Sequence, residues 1–216
     1  NISRFTAPHY VGYFTIGSEG EVKFEIDNNL TPIRDYPALD NKVGAVEIFE
    51  MPRGKDPFRF LVGCDVFDDD SVGYSDSLGS ILVFDRWTRR IVAEYTGRPQ
   101  TANEFYEIVY RMARFYNATI MYENNKKGLF AYFANVKKAV TMLADTPQII
   151  TDKQVLKPKN VFDNTSKGIN ATAAINVYGR RLQADWMVEN AYTDEVKYDD
   201  NGEEIIVRVP NLKKIR

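Results

Sequence analysis

Thirteen residues constrain this chain more than any others: Phe58-Arg59-Phe60-Leu61-Val62-Gly63-Cys64-Asp65-Val66-Phe67-Asp68-Asp69-Asp70. An apolar, aromatic-rich run of strand length ends in an acid, and further acids come at once. A run apolar on both faces predicts a strand covered on both sides, placed centrally in a mixed sheet. Strand alternation puts Leu61, Gly63 and Asp65 on one face and Phe60, Val62 and Cys64 on the other. Gly63 leaves space beside Asp65 for a close approach by a ligand or another backbone. A carboxylate at the end of a buried strand needs a partner to stay charged, and a bound cation is one such partner. A turn or helix cap is the other reading of such an acid.

The body of the chain around this run has a clear order. Ser80–Asp85 reads as a second strand, Arg86–Arg89 as a turn and Arg90–Tyr95 as a third strand, giving a three-stranded antiparallel meander with the first strand innermost. Thr101-Ala102-Asn103-Glu104 has the form of a capping box. Phe105, Ile108, Val109, Met112 and Phe115 then share one helical face, read as core. Asn117–Tyr122 predicts a short fourth strand, which a right-handed crossover would lay parallel to the first. Asp65 and Glu123 would then emerge at the carboxyl ends of neighbouring strands. Those strands lie about 4.8 Å apart, so the two side chains can converge on a shared ion. A second helix carries Leu129, Phe130, Phe133 and Val136, and a short apolar strand falls near Met142–Ala144. Ser166–Asn190 reads as one long helix or two, with Ile169, Ala173, Val177, Trp186 and Met187 partly on one face.

Residues 1–56 read differently, with strands at Tyr10–Ile16, Glu21–Ile26 and Val43–Phe49, a turn at Gly17–Gly20 and a proline-bearing loop at Asp27–Asp40. They predict a β-rich extension or connector packed on a main domain over 57–216. His9, the only histidine, lies in this extension and reads as a surface or packing residue.

Composition narrows the function classes. With 28 basic against 30 acidic residues and a net charge of −2, generic electrostatic coating of DNA is disfavoured, while a local basic groove is not. The single cysteine allows no intramolecular disulfide and fits a reducing compartment. No apolar stretch approaches the roughly 18 residues of a membrane span, and no signal peptide is visible, so a soluble intracellular protein is expected. The first residue is Asn1, not Met, which suggests a piece of a longer protein. No Gly-x-x-x-x-Gly-Lys-Ser/Thr occurs, so the chain is not expected to be an ATPase.

Several runs, taken together and in order, resemble the nuclease domain of the tailed-phage terminase large subunit. They are Leu61-Val62-Gly63-Cys64-Asp65, Ile81–Asp85 with Ile91–Gly97 behind it, Phe115-Tyr116-Asn117-Ala118, Tyr122-Glu123-Asn124-Asn125, and Tyr178-Gly179-Arg180-Arg181 before Asp185-Trp186. The resemblance covers roughly Phe58–Asn190 and implies an α/β, ribonuclease H-like mixed sheet: a meander plus parallel strands, flanked by helices. It further implies a metal-dependent endonuclease that cuts concatemeric double-stranded phage DNA during packaging, located in the host cell cytoplasm. Portal and small terminase subunit would be partners of the full-length protein. Asp65 matches the family's first-strand metal ligand and Glu123 its fourth-strand acid. The family's third acid, near the carboxyl end, has no counterpart. After Asn190 comes only a hairpin-like pattern, Glu195–Tyr198 and Glu204–Val209 around Asp199-Asp200-Asn201-Gly202. Asp185 reads as structural.

The mechanism implied by the resemblance uses two Mg²⁺ or Mn²⁺ ions about 3.5–4 Å apart, sharing Asp65, one activating a water and the other stabilising the leaving oxygen. Hard cations take oxygen ligands, which fits carboxylates without His or Cys. Asp70 is a possible extra ligand, as are Asp68, Asp69 and Asp76. Lys126, Lys127, Arg180 and Arg181 are the candidate DNA-binding residues, with Lys137, Lys138, Lys157, Lys159 and Lys167 on the same half of the chain. An ordinary mixed-charge surface is the alternative reading of those cations. A junction resolvase or transposase-type nuclease, or a non-catalytic phage structural or docking module, stands as the alternative function.

Overall fold

A computed structural model describes residues 9–34, 42–54, 56–67, 77–125, 127–147, 167–190, 192–198 and 201–210. The chain divides into two compact units, His9–Ala171 and a second one built from Thr172 onward.

The first unit is organised by one seven-stranded sheet in the order β2-β1-β3-β6-β5-β4-β7. The strands are β1 (Tyr10–Ile16), β2 (Val22–Ile26), β3 (Val46–Ile48), β4 (Phe60–Asp65), β5 (Gly79–Asp85), β6 (Arg90–Gly97) and β7 (Thr119–Tyr122). β4 pairs antiparallel with β5 and parallel with β7, so it does sit inside the sheet, with the meander on one side and the crossover strand on the other. Beyond β7, Leu143 forms a further parallel bridge to Ile120 where the sequence suggested a short apolar strand. The fold is mixed α/β and consistent with a ribonuclease H-like sheet.

Helix α1 (Ala102–Tyr116) makes the crossover, and its sequence specifies both ends. The Thr101 hydroxyl accepts from the Glu104 N–H at 3.2 Å, while the Glu104 carboxylate accepts from the Thr101 N–H at 3.3 Å. These bonds satisfy two donors that the first helical turn leaves free. At the other end Asn117 takes the left-handed conformation (φ 51°), which stops the helix. The strand therefore starts at Thr119 and not at Asn117 as expected. Phe105, Val109 and Met112 are fully buried on the sheet face formed by Phe60, Val62, Cys64, Ile81, Val83, Ile120 and Tyr122.

Only this face of β4 is deeply covered. Gly63 and Asp65 are exposed and Leu61 is half-buried. The expectation of a strand covered on both faces is corrected here: Leu61, Phe84 and Met121 leave an apolar but accessible surface opposite α1.

Residues before β4 do not form a separate layer. β3 pairs with the outer edge of β6, and β1 and β2 continue the same sheet. Phe14 packs on Phe24 and Phe115, with ring centroids at 5.3 and 5.1 Å, so α1 also covers this end. Past β7, α2 (Gly128–Ala131) runs into a single π turn over Tyr132–Val136 that buries Phe133.

The second unit holds α3 (Ala173–Asn190) and a hairpin of β8 (Tyr192–Tyr198) with β9 (Glu204–Pro210). The helix begins after Thr172, whose hydroxyl accepts from the Ile175 N–H. Ile169, grouped with this helix from the sequence, instead bridges to Glu123 in the first unit. Its backbone is claimed by that pairing before the helix starts.

Candidate functional site

The parallel pairing of β4 and β7 brings the two predicted acids together by register. Leu61, Val62, Gly63 and Cys64 face Thr119, Ile120, Met121 and Tyr122 in turn, so Asp65 and Glu123 are the next residues on adjacent strands. Cys64 and Tyr122 point into the core, which sends Gly63, Asp65, Met121 and Glu123 to the opposite, accessible face. A Cβ built on Gly63 meets nothing within 4 Å, so the surface beside Asp65 is open. Burial pushes the neighbouring Cys64 thiol far up, which leaves it a protonated packing group and not a ligand.

Around Glu123 the chain is tied down. Glu123 bridges to Ile169, with the Asn124 N–H donating to Ile169 O at 2.8 Å and the Ile169 N–H to Tyr122 O at 2.9 Å. The Asn124 side chain donates to Lys167 O at 2.7 Å. Gly168 sits at φ 71° with the Tyr122 carbonyl 2.7 Å from where a Cβ would stand, so glycine is required there. Asn125 donates from Nδ2 to Glu123 Oε1 at 2.8 Å. Residues 167–171 thus form a short strap along the carboxyl end of β7. Sequence reading missed the strap and Asn125; the adjacent asparagines after Glu123 were the available signal.

The donor set suits a hard divalent cation: two carboxylates on an open face, with no imidazole or thiolate. Asp65 is held by its backbone in the ladder opposite Ser80, and the hydrogen bond from Asn125 falls on Oε1 of the Glu123 carboxylate. Among the described residues no group of three His, Cys, Asp or Glu is assembled. Asp68, Asp69, Asp70 and Asp76 lie outside the described residues.

The predicted cations divide into four sets. Lys127 and Lys138 are exposed beyond Glu123. Lys137 and Lys167 are already engaged, Lys137 Nζ at 2.5 Å from Glu107 and over the Tyr110 ring, Lys167 Nζ at 2.7 Å from Asp145. These two cations are thus committed to ion pairs within the protein. Lys126, Lys157 and Lys159 lie outside the described residues. Arg180 and Arg181 are exposed on α3 in the second unit, with Arg181 4.0 Å from Asp185.

No protein-family model matches this chain, and no curated protein matches it in sequence. Among solved structures, the large terminase nuclease from thermophilic phage G20c is similar at a TM-score of 0.34 and 10% identity, over 82% of this chain and 82% of that one. A functional reading of the present chain rests on the geometry of the two strand ends and not on that likeness. Within the described residues no helix is long and apolar enough to cross a membrane.

Proposed function

We propose that this chain carries a divalent-metal-dependent DNA endonuclease site of the terminase-nuclease kind, acting on double-stranded DNA. The observation that carries it is the register of β4 and β7, which sets Asp65 and Glu123 side by side at the carboxyl ends of two parallel strands, on a face left open at Gly63. Asp65 and Glu123 would hold Mg²⁺ or Mn²⁺, with Asp70 as a further ligand. Such ions supply a nucleophilic water at neutral pH and stabilise charge on the leaving oxygen of a phosphodiester. The chain's own part is to hold two carboxylates in fixed positions and to leave room at Gly63 for the sugar–phosphate backbone. Exposed Lys127 and its neighbour Lys126 would contact phosphates, which positions DNA without reading its sequence, and Arg180 and Arg181 would do so separately, from the second unit. Packaging of phage DNA in the host cytoplasm, with portal and small subunit as partners of a longer protein, is the setting that the sequence resemblance suggests.

The test is nicking and linearisation of supercoiled plasmid with Mn²⁺ by the chain, by Asp65→Ala and by Glu123→Ala. A longer version extended at the carboxyl end is run beside them. The expected result is Mn²⁺-dependent cutting, lost in both variants and stronger in the longer protein. No cutting by the longer protein, with no Mn²⁺-induced change in melting temperature, would overturn the reading. In that case a non-catalytic docking role gains.

A further inference from the structure

We infer that Asn125 is the positioning residue of this site: its side-chain amide holds the Glu123 carboxylate and the strap at Ala171 in one arrangement, so that the strap supports the acid. The geometry stands by itself, and its consequence for metal binding rests on the proposed function.

Every polar valence of the Asn125 amide facing these groups is used. Oδ1 accepts from the Ala171 N–H at 3.0 Å. Nδ2 has two hydrogens; one goes to Ala171 O at 3.3 Å and the other to Glu123 Oε1 at 2.8 Å. The amide cannot be turned over: that would set Oδ1 against two acceptors and Nδ2 against a donor. Neither an Asp, which has no donor when ionised, nor a Ser, with a single hydrogen, could make all three bonds.

The consequence lies in where the bonds lead. A glutamate on an accessible face samples several rotamers, and a hydrogen bond to one oxygen selects among them. Because Oε1 receives the amide, Oε2 is presented for coordination. Partners of this kind behind a metal-binding carboxylate change metal affinity or activity by about 10- to 100-fold when removed. Ala171 is held through both its N–H and its carbonyl, and Thr172, the residue capping α3, is next in the chain. Binding that fixes Glu123 should therefore also steady the Ala171 amide, since coupling between two sites is reciprocal.

The experiment is residue-resolved amide exchange by mass spectrometry on the full chain, with and without Mn²⁺, for wild type, Asn125→Ala and Glu123→Gln. It is paired with a Mn²⁺ titration of plasmid cutting. In the absence of metal, Asn125→Ala should speed exchange at Ala171 while Ile169, bonded to the Tyr122 carbonyl, stays slow as an internal control. Mn²⁺ should slow Ala171 in wild type, and neither in Asn125→Ala nor in Glu123→Gln. The Mn²⁺ midpoint for cutting should rise at least about 10-fold in Asn125→Ala. Asn125→Ser replaces it should the alanine variant fail to fold.

Equal Ala171 exchange in wild type and Asn125→Ala overturns the inference, as does an unchanged Mn²⁺ midpoint. The two ideas separate cleanly. Asn125-dependent Mn²⁺ protection in a chain that never cuts DNA keeps the positioning role and removes the nuclease. Cutting with the same Mn²⁺ midpoint in both proteins keeps the nuclease and removes the positioning role.

Discussion

Asp85 is fully buried at the end of β5, and it is kept charged by its neighbours. Arg59 donates to it twice, from Nη2 at 2.7 Å and Nε at 3.2 Å, and the Trp87 N–H adds a third bond at 2.9 Å. Burial alone would raise its pKa, but these donors and the Arg59 charge outweigh burial and hold the carboxyl below its ordinary value. A depressed folded pKa contributes stability above the unfolded value of about 3.9, and that contribution is lost as pH falls through the folded value. Asp85→Asn should cost about 3–5 kcal/mol at neutral pH, because it leaves the Arg59 guanidinium buried without its charge partner. It should also flatten the loss of stability below about pH 4. Urea unfolding of both proteins from acid to neutral pH measures the two effects. Gly63 tests the opposite case, a residue whose value lies in what it lacks. Nothing lies within 4 Å of its missing Cβ, so Gly63→Val should leave stability unchanged or raise it by up to about 1 kcal/mol. Under the proposed function it should abolish plasmid cutting by filling the approach to Asp65. Thermal melts beside nicking assays decide this, and a fully active valine variant would rule out approach over Gly63.

At the scale of elements, α1 was the most legible part of the chain. Its capping box and its apolar stripe are both local patterns, and the helix runs where they predict, with Phe105, Val109 and Met112 buried. Thr101→Ala should therefore lower stability by about 1 kcal/mol through lost capping alone. Denaturant melts read that as a lower midpoint at unchanged slope. The meander β4–β6 was legible for the same reason, since apolar runs of six to eight residues bounded by turn residues are read within each strand. The strap was not. Its residues 167–171 carry little apolar signal, and what fixes them is hydrogen bonding to Tyr122, Asn124, Asn125, Ala144 and Thr146, between 22 and 47 residues away in sequence.

For the molecule as a whole, the first three strands change meaning once the sheet is assembled. As sequence they read as an extension to the main domain; in the fold β3 covers the edge of β6, and the Tyr116 hydroxyl of α1 donates to Glu50 O at 2.8 Å. Deleting residues 1–56 should expose that edge and the apolar flank under Phe14. The expected outcome is aggregation or a non-cooperative melt, checked by size-exclusion chromatography and circular dichroism. A soluble, cooperatively melting protein would show that β4–β7 with α1 stand without them.

The amino-acid sequence by itself determined the local elements of this protein and the two strand-end acids. Periodicity, caps and turns act over a few residues, and the one parallel pairing needed to align Asp65 with Glu123 is dictated by strand order. Only the tertiary structure decided which partners the polar side chains take. It set Lys137 on Glu107, Lys167 on Asp145 and Arg59 on Asp85, and closed the Asn125 amide over Glu123 and Ala171. The physical reason is range: a side chain bonds to whatever the folded backbone places within about 3 Å of it, and no sequence spacing records that.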